Sequence, residues 1–435
     1  MRWIHAVALL ALCAGCPVDL QPAAQECTLA AGTLDAGPGM TWHRDIAPIF
    51  AARCMGCHEG AGPGPLKLTT FSEVVAAKAV VHRAIEERHM PPWPPAACCA
   101  EFRHSAALSP EELGKVHAWF ETGTMEGVMA APPPVAKRGQ LPRVDLTVAM
   151  SEAYLPRPTG SNDETRCFLL DWPETQTRFV TGLNILPGVP GQMHHAIVFV
   201  AGPQDVKTLK ATDAAAAGLG WPCPGGVLGS FKSALGGSTY EATEYDPGLG
   251  HEVNPGDQLV LQMHYSAPGL GDFQPDKSAV QLRFQSEATK RLATLMVYNP
   301  SWLVPLGLRI KAGETITYSY ADEPSRWAGG KPFTLHSVSI HMHERGVKGQ
   351  VAILRKDGTR ECLLQIDDWD HMWQGDYTFA KVKRLEKGDR LLVSCTFNNS
   401  DENQKLVRGV RQPARELDWS EEEEMCLAFI TASQD

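Results

Sequence analysis

Apolar and polar residues alternate with period two along most of the chain after Asp145, in short runs separated by Gly, Pro, Asn and Asp clusters. That pattern predicts short strands joined by turns, the texture of β-sandwiches or barrels. Ser337–His343 shows it well: Val338, Ile340 and Met342 fall on one face, and Ser337, Ser339, His341 and His343 on the other. In Gln258–Tyr265, Leu259, Leu261, Met263 and Tyr265 face one way and His264 the other. Met193–Val200 follows a Pro/Gly turn and carries adjacent histidines, His194 and His195. Helical periodicity is confined to the first third. Glu73 to Arg88 reads as one amphipathic helix. A second begins at Ser109, with Pro110 in its first turn, Glu112 closing a capping box and Gly123 ending it.

These shifts of texture divide the 435 residues. Residues 1–16 form an export signal, 17–39 an Ala/Gly/Pro tether, 40–130 a small α-helical domain and 131–144 a stiff Pro-rich linker. The remainder suffices for two all-β sandwiches, 145–288 and 289–435.

The signal consists of Arg2, the apolar run Ile4–Leu12 and the small residues of Ala14-Gly15-Cys16. It resembles a bacterial lipoprotein signal with Cys16 as lipid acceptor, although Cys13 stands where Leu is usual. Pro17 in place of Asp implies an outer-membrane anchor in a Gram-negative host. The alternative is a plain cleaved signal; either address is the periplasm or cell envelope. Export permits disulfides among the twelve cysteines. A net charge of −10 argues against nucleic acid as partner. No apolar run reaches the length of a membrane span.

The candidate chemistry is metal and haem chemistry. Cys54-Met55-Gly56-Cys57-His58 is a C-x-x-C-H sequence, which can attach haem c through two thioethers and ligate its iron through His58. Met90, in the proline-stiffened Met90-Pro91-Pro92-Trp93, is the candidate opposite ligand, with His82 and His89 as rivals. A disulfide, or half a zinc site without its second half, are the alternatives for the cysteine pair. Two histidines at i and i+2 on one strand face can grip one ion without bending the backbone. His341 and His343 do this, and Met425 adds a thioether; two imidazoles with a soft thioether select Cu(I). Met425 reads equally as core filling, and the acidic run Glu421–Glu424 before it as a solvated loop. His194, His195 and His264 form a second candidate set, because neighbours such as His194 and His195 can share a metal at a strand end or bulge. Each histidine alone is as much at home in an ordinary polar sheet face.

Two resemblances organise these sets. Trp42–Ile49, the C-x-x-C-H and the Met-Pro-Pro-Trp loop together resemble class I-like c-type cytochrome domains, over residues 40–130. His-His, His in Leu-Gln-Met-His-Tyr, His-x-His and Glu-Met-Cys, in that order over residues 145–435, resemble the copper type II, ascorbate-dependent monooxygenases, the family of peptidylglycine α-hydroxylating and dopamine β-monooxygenases. Lys387–Asn398 and Glu424-Met425-Cys426 look closest to the dopamine-type members. The likeness implies two tandem jelly-roll sandwiches behind the cytochrome domain. It implies one copper on His194, His195 and His264, a second, catalytic copper on His341, His343 and Met425, and a Cys395–Cys426 bridge. Bacterial relatives suggest a Cys167–Cys223 pair. It further implies hydroxylation of a C–H bond of a small or peptidic organic substrate by O2, with electrons from ascorbate or an exported donor through the haem. In the peptide-hydroxylating branch an arginine and two polar residues bind the substrate carboxylate; here those places hold Ser339, Leu427 and Phe429. The rival readings are a copper- and haem-loaded envelope protein without turnover, and a sandwich scaffold that has lost one metal.

Overall fold

The structure is a computed structural model. It describes residues 39–434 except 61–63, 65, 136–139, 159–162, 224–230, 239–241, 267–272, 327–328, 372, 405, 408–409 and 421–422. The export signal, Cys16 and all but the last residue of the tether lie outside the described residues.

The described chain is mostly β-sheet with few helices. Its spine is a nine-stranded sheet. From one edge it runs Leu146–Ala149, Ala279–Gln285, Arg178–Leu186, Leu249–Val253, Lys290–Val297, Leu427–Gln434, Phe333–His341 and Tyr377–Leu385, with Thr243–Glu244 paired to the side. The first half faces a five-stranded sheet containing Asp163–Leu170, Gln258–Ser266 and Met193–Ala201. The second half goes with a four-stranded sheet of Thr315–Asp322, Arg390–Asn398, Gly346–Leu354 and Arg360–Ile366. Each half encloses its own core. Leu259, Leu261, Met263 and Tyr265 belong to the first core, and Val338, Ile340 and Met342 to the second, as their alternation requires. The halves are joined in one ladder by a short parallel pairing, Lys290–Leu292 on Leu249–His251.

Two helical features depart from the sequence pattern. The helix expected over Glu73–Arg88 forms as two, Phe71–Ala76 and Lys78–Glu86, because Ala77 leaves helical geometry at ψ 11°. Within the β region a helix, Pro203–Ala215, follows Gly202 with proline in its first turn. It buries only Leu209 among its residues, so it carries almost no apolar period by which to be recognised. The expected helix after Ser109 is Pro110–Glu121, with both arms of the capping box made. No described helix is long and apolar enough to cross a membrane.

Three disulfides tie the described residues: Cys167–Cys223, Cys395–Cys426 and Cys99–Cys362. The first two are those implied by resemblance. The third was unassigned by spacing, since it joins residues 263 apart. It anchors the segment between helices Lys78–Glu86 and Pro110–Glu121 to the second sandwich. There Ala96 N–H donates to Gln365 O, Arg103 N–H to Thr378 O and Ala380 N–H to Glu101 O, each at 2.8 Å. The segment thus caps two strand edges, and Trp93 and Phe102 pack on Tyr377.

Loss of this bridge in Cys99→Ser/Cys362→Ser is expected to speed hydrogen exchange at Ala96 and Arg103 and to lower the thermal midpoint. Removing a native disulfide of long span costs about 2–5 kcal/mol. Unchanged exchange at both amides would show that hydrogen bonds and aromatic packing alone hold the segment.

Candidate metal centres

Strand Phe333–His341 presents the first centre. Its partner Leu427–Gln434 runs antiparallel, with His341 opposite Leu427. The ladder ends at that pair, and His343 and Met425 each lie two residues beyond it, at the same end of the two strands. The Cys395–Cys426 bridge fixes the chain between Met425 and Leu427. Met425 is buried and lines the same cleft as His341 and His343.

The imidazole protons are accounted for. His341 Nδ1–H donates to Gln374 Oε1 at 2.6 Å, and His343 Nδ1–H donates to Glu423 O at 3.2 Å. A carbonyl oxygen can only accept, so both rings keep the tautomer with a bare Nε2. Those two Nε2 atoms stand 3.1 Å apart. Two lone pairs at that distance repel unless a cation lies between them. A proton does not serve near neutrality: burial pushes His341 down to about 4, against the Gln374 hydrogen bond, and holds His343 well below its ordinary value. A metal ion satisfies both nitrogens, so the residues fit copper.

His194, His195 and His264 meet in the first sandwich. The ladder between Met193–Ala201 and Gln258–Ser266 shifts register between Met193 and His195, which is the bulge that adjacent histidines need. His195 then lies opposite His264. One ring nitrogen from each of the three falls within 4.8 Å of the others. His194 Nδ1 and His264 Nδ1 are 3.1 Å apart, and His195 Nδ1 is buried with no hydrogen-bond partner among the described residues. Asp163 Oδ1 stands 3.6 Å from His264 Nε2, the arrangement in which a carboxylate orients a metal-binding imidazole. Burial opposes ionisation of Asp163, but His264 prevails and holds it below the usual carboxylate range. Burial, then the neighbouring imidazoles, keep His194 and His195 neutral.

The two sets are adjacent. The His195 and His341 ring centroids are 5.8 Å apart, and His371 of the second half lies 5.2 Å from His194. Both sets open on a cleft of about 1690 Å³. Behind His341 a smaller cavity of about 70 Å³ is walled by Ser339, Phe429, Ile197, Gln374 and Asp376. Burial pushes the Asp376 carboxyl up to about 6, against a 3.2 Å hydrogen bond from Ser337.

Sequence reasoning passed over Gln374, His371, Asp376 and Asp163, because none belongs to a spaced motif. It also misjudged the acidic run. Glu421 and Glu422 lie outside the described residues, but Glu424 is fully buried and is no part of a solvated loop. Its carboxyl accepts from His343 N–H at 3.0 Å and from Arg345 N–H at 2.5 Å, which sets the turn after the His-x-His pair.

In the helical unit Cys54 and Cys57 stand one turn apart, with His58 N–H donating to Cys54 O. His58 Nδ1–H donates to Leu66 O at 2.8 Å, leaving Nε2 bare. A Cβ on Gly64 would meet that ring at 2.5 Å, so only glycine fits beside it. Such a histidine suits haem iron. Met90 is 39% exposed, with its N–H on Ala84 O. His89 lies by Glu87, and His82 is turned to His117 and Glu86.

Comparison with known proteins bears on the first centre. Residues 317–432 match the family described as "Copper type II ascorbate-dependent monooxygenase, C-terminal domain". That span contains His341, His343 and Met425; the three-histidine set lies before it. The chain is 24% identical to dopamine beta-hydroxylase of Canis lupus familiaris over 178 residues, 40% of this chain and 26% of that protein. To the Homo sapiens enzyme it is 25% identical over 179 residues, 40% of this chain and 27% of that protein. The chain thus spans about a quarter of the length of these curated relatives. Among solved structures, the infectious bursal disease virus VP2 subviral particle has a TM-score of 0.17 at 12% identity, covering 68% of this chain and 75% of that one; no fold follows from so low a score.

Burial pushes Glu424 up to about 8 from an ordinary 4.5. A carboxyl raised in the folded state contributes stability that is full below pH about 4.5 and is lost as pH rises through about 8. In copper-free protein the wild-type thermal midpoint is expected to fall across that window, by the equivalent of a few kcal/mol on the order-of-magnitude scale of such shifts. Glu424→Gln should flatten the profile. An equally steep decline in the variant would remove Glu424 as its source.

Proposed function

We propose that the protein is an exported copper-dependent monooxygenase that hydroxylates a C–H bond of an organic substrate. The observation that carries the reading is the pair of bare Nε2 atoms of His341 and His343, 3.1 Å apart in the cleft that Met425 lines, within the span matched by the copper monooxygenase domain. Disulfides support an address outside the cytoplasm, in the periplasm or at a lipid-anchored envelope surface.

His341, His343 and Met425 would hold one copper, and His194, His195 and His264 the other. Copper in these sites supplies one-electron redox chemistry toward O2. The balance is substrate C–H plus O2, two electrons and two protons, giving alcohol and water. The chain's own residues prepare that reaction. Gln374 holds the His341 proton on Nδ1, and its amide is turned that way by donating to His371 O at 3.1 Å. Glu424 fixes the backbone after His343. Phe429 and Ser339, opposite each other in the ladder, wall the small cavity beside His341. Among the described residues that line it, this small cavity has the Asp376 carboxyl and no Lys or Arg, so an anionic group finds no clamp there; the arginines of the site, Arg157, Arg166, Arg345 and Arg415, line the larger cleft.

Residues 40–130 would carry haem c on Cys54, Cys57 and His58, with Met90 opposite, as the relay from ascorbate or an exported donor. Haem there supplies a one-electron couple. The Met-Pro-Pro-Trp loop supports this placement: Trp93 packs on Tyr377 at 5.3 Å, three residues after Gln374, which bonds His341.

Copper counted per chain is expected at two in the wild type and one in either His341→Ala or His264→Ala. Reduced full-length protein given isotopically labelled O2 and a mixed extract of small organic metabolites should place label in an alcohol, and His341→Ala should not. Bound copper with no labelled product from the wild type would instead favour an electron carrier or copper store. Rapid mixing with O2 should show haem oxidation alongside copper turnover, failing which the relay is wrong.

A further inference from the structure

Outside the copper centres, two helices of the N-terminal unit bring three ligand-type side chains together. His82 and Glu86 stand one turn apart on helix Lys78–Glu86, so they share a face. His117 comes from helix Pro110–Glu121. The donor atoms are close: His82 Nε2 lies 3.0 Å from His117 Nδ1 and 3.4 Å from Glu86 Oε1, and His117 Nδ1 lies 4.0 Å from Glu86 Oε1. Four ligands at the tetrahedral zinc distances to N and O, roughly 2.0–2.1 Å, are separated from one another by about 3.3 Å. The three observed spacings bracket that value.

The rings are held in place. His82 lies against buried Phe120 with centroids 4.8 Å apart, and its own side chain is only 17% exposed. Glu86 is half exposed, so the open side of the triangle faces water, which can complete the coordination. Proximity to the haem motif made His82 a rival axial ligand, but its contacts go to this cluster.

We propose that His82, Glu86 and His117 form a site for a borderline divalent ion, Zn2+, separate from both proposed copper centres. Two imidazoles and one carboxylate suit such ions, and the solvent-facing fourth position marks an exchangeable site. An ion there cross-links Lys78–Glu86 to Pro110–Glu121 and fastens the stretch that leads into the Met90 loop. No residue is shared with the proposed oxygenase centres, so the site stands or falls independently of them.

The test uses full-length, copper-loaded protein dialysed against Zn2+, with zinc and copper both counted by mass spectrometry. The wild type is expected to take one zinc per chain without losing copper. Glu86→Gln, a change at a half-exposed position, and His117→Ala should each weaken that zinc by more than about tenfold, the least that losing even an outer-shell partner tends to cost. Their copper content and far-ultraviolet circular dichroism should match the wild type. Zinc uptake only in step with copper loss, no added zinc, or an added zinc that both variants retain would each overturn the proposal.

Discussion

Two lone pairs facing each other at 3.1 Å are the constraint around which the second half of the molecule is arranged. Each imidazole has given its only proton to an oxygen on the far side, one to Gln374 and one to the Glu423 carbonyl. Burial removes the remaining escape, which would be to protonate a ring. The strand cannot turn the histidines away, because Val338, Ile340 and Met342 are locked into the core on the opposite face. A cation between them would relieve the contact, and the Met425 thioether lining the same cleft would favour a soft one.

The surrounding structure keeps those nitrogens aimed. Three connections converge on the end of strand Phe333–His341: the ladder to Leu427–Gln434, the Cys395–Cys426 bridge and the buried Glu424 carboxyl. In the first half the same task falls to a register shift and an aspartate, with Asp163 behind His264. The chemistry of orientation is shared, but the devices differ, since a His-x-His pair needs only a straight strand whereas a His-His pair needs a bulged one.

Much of this was legible in the alternation of residues. The faces of Gln258–Tyr265 and Ser337–His343 follow from period two, and the capping box at Ser109 marks its helix. Other parts left no local trace. Helix Pro203–Ala215 buries one leucine and so shows no stripe. Gln374, His371 and Asp376 act by where the fold puts them rather than by spacing. Glu424 was concealed by its company: three adjacent glutamates suggest solvent, yet this one turns inward to cap backbone N–H groups. The ring contact between His195 and His341 is purely tertiary and beyond any motif.

The single ladder running through both halves has its own consequence for traffic. Because Lys290–Leu292 is stitched to Leu249–His251, the halves are not beads on a flexible string. His195 and His264 of one trio and His341, His343 and Met425 of the other line the same crevice, so the two sets share an approach from solvent. Phe429 lines that crevice and the smaller cavity beside His341 alike, so one ring forms a wall common to both spaces.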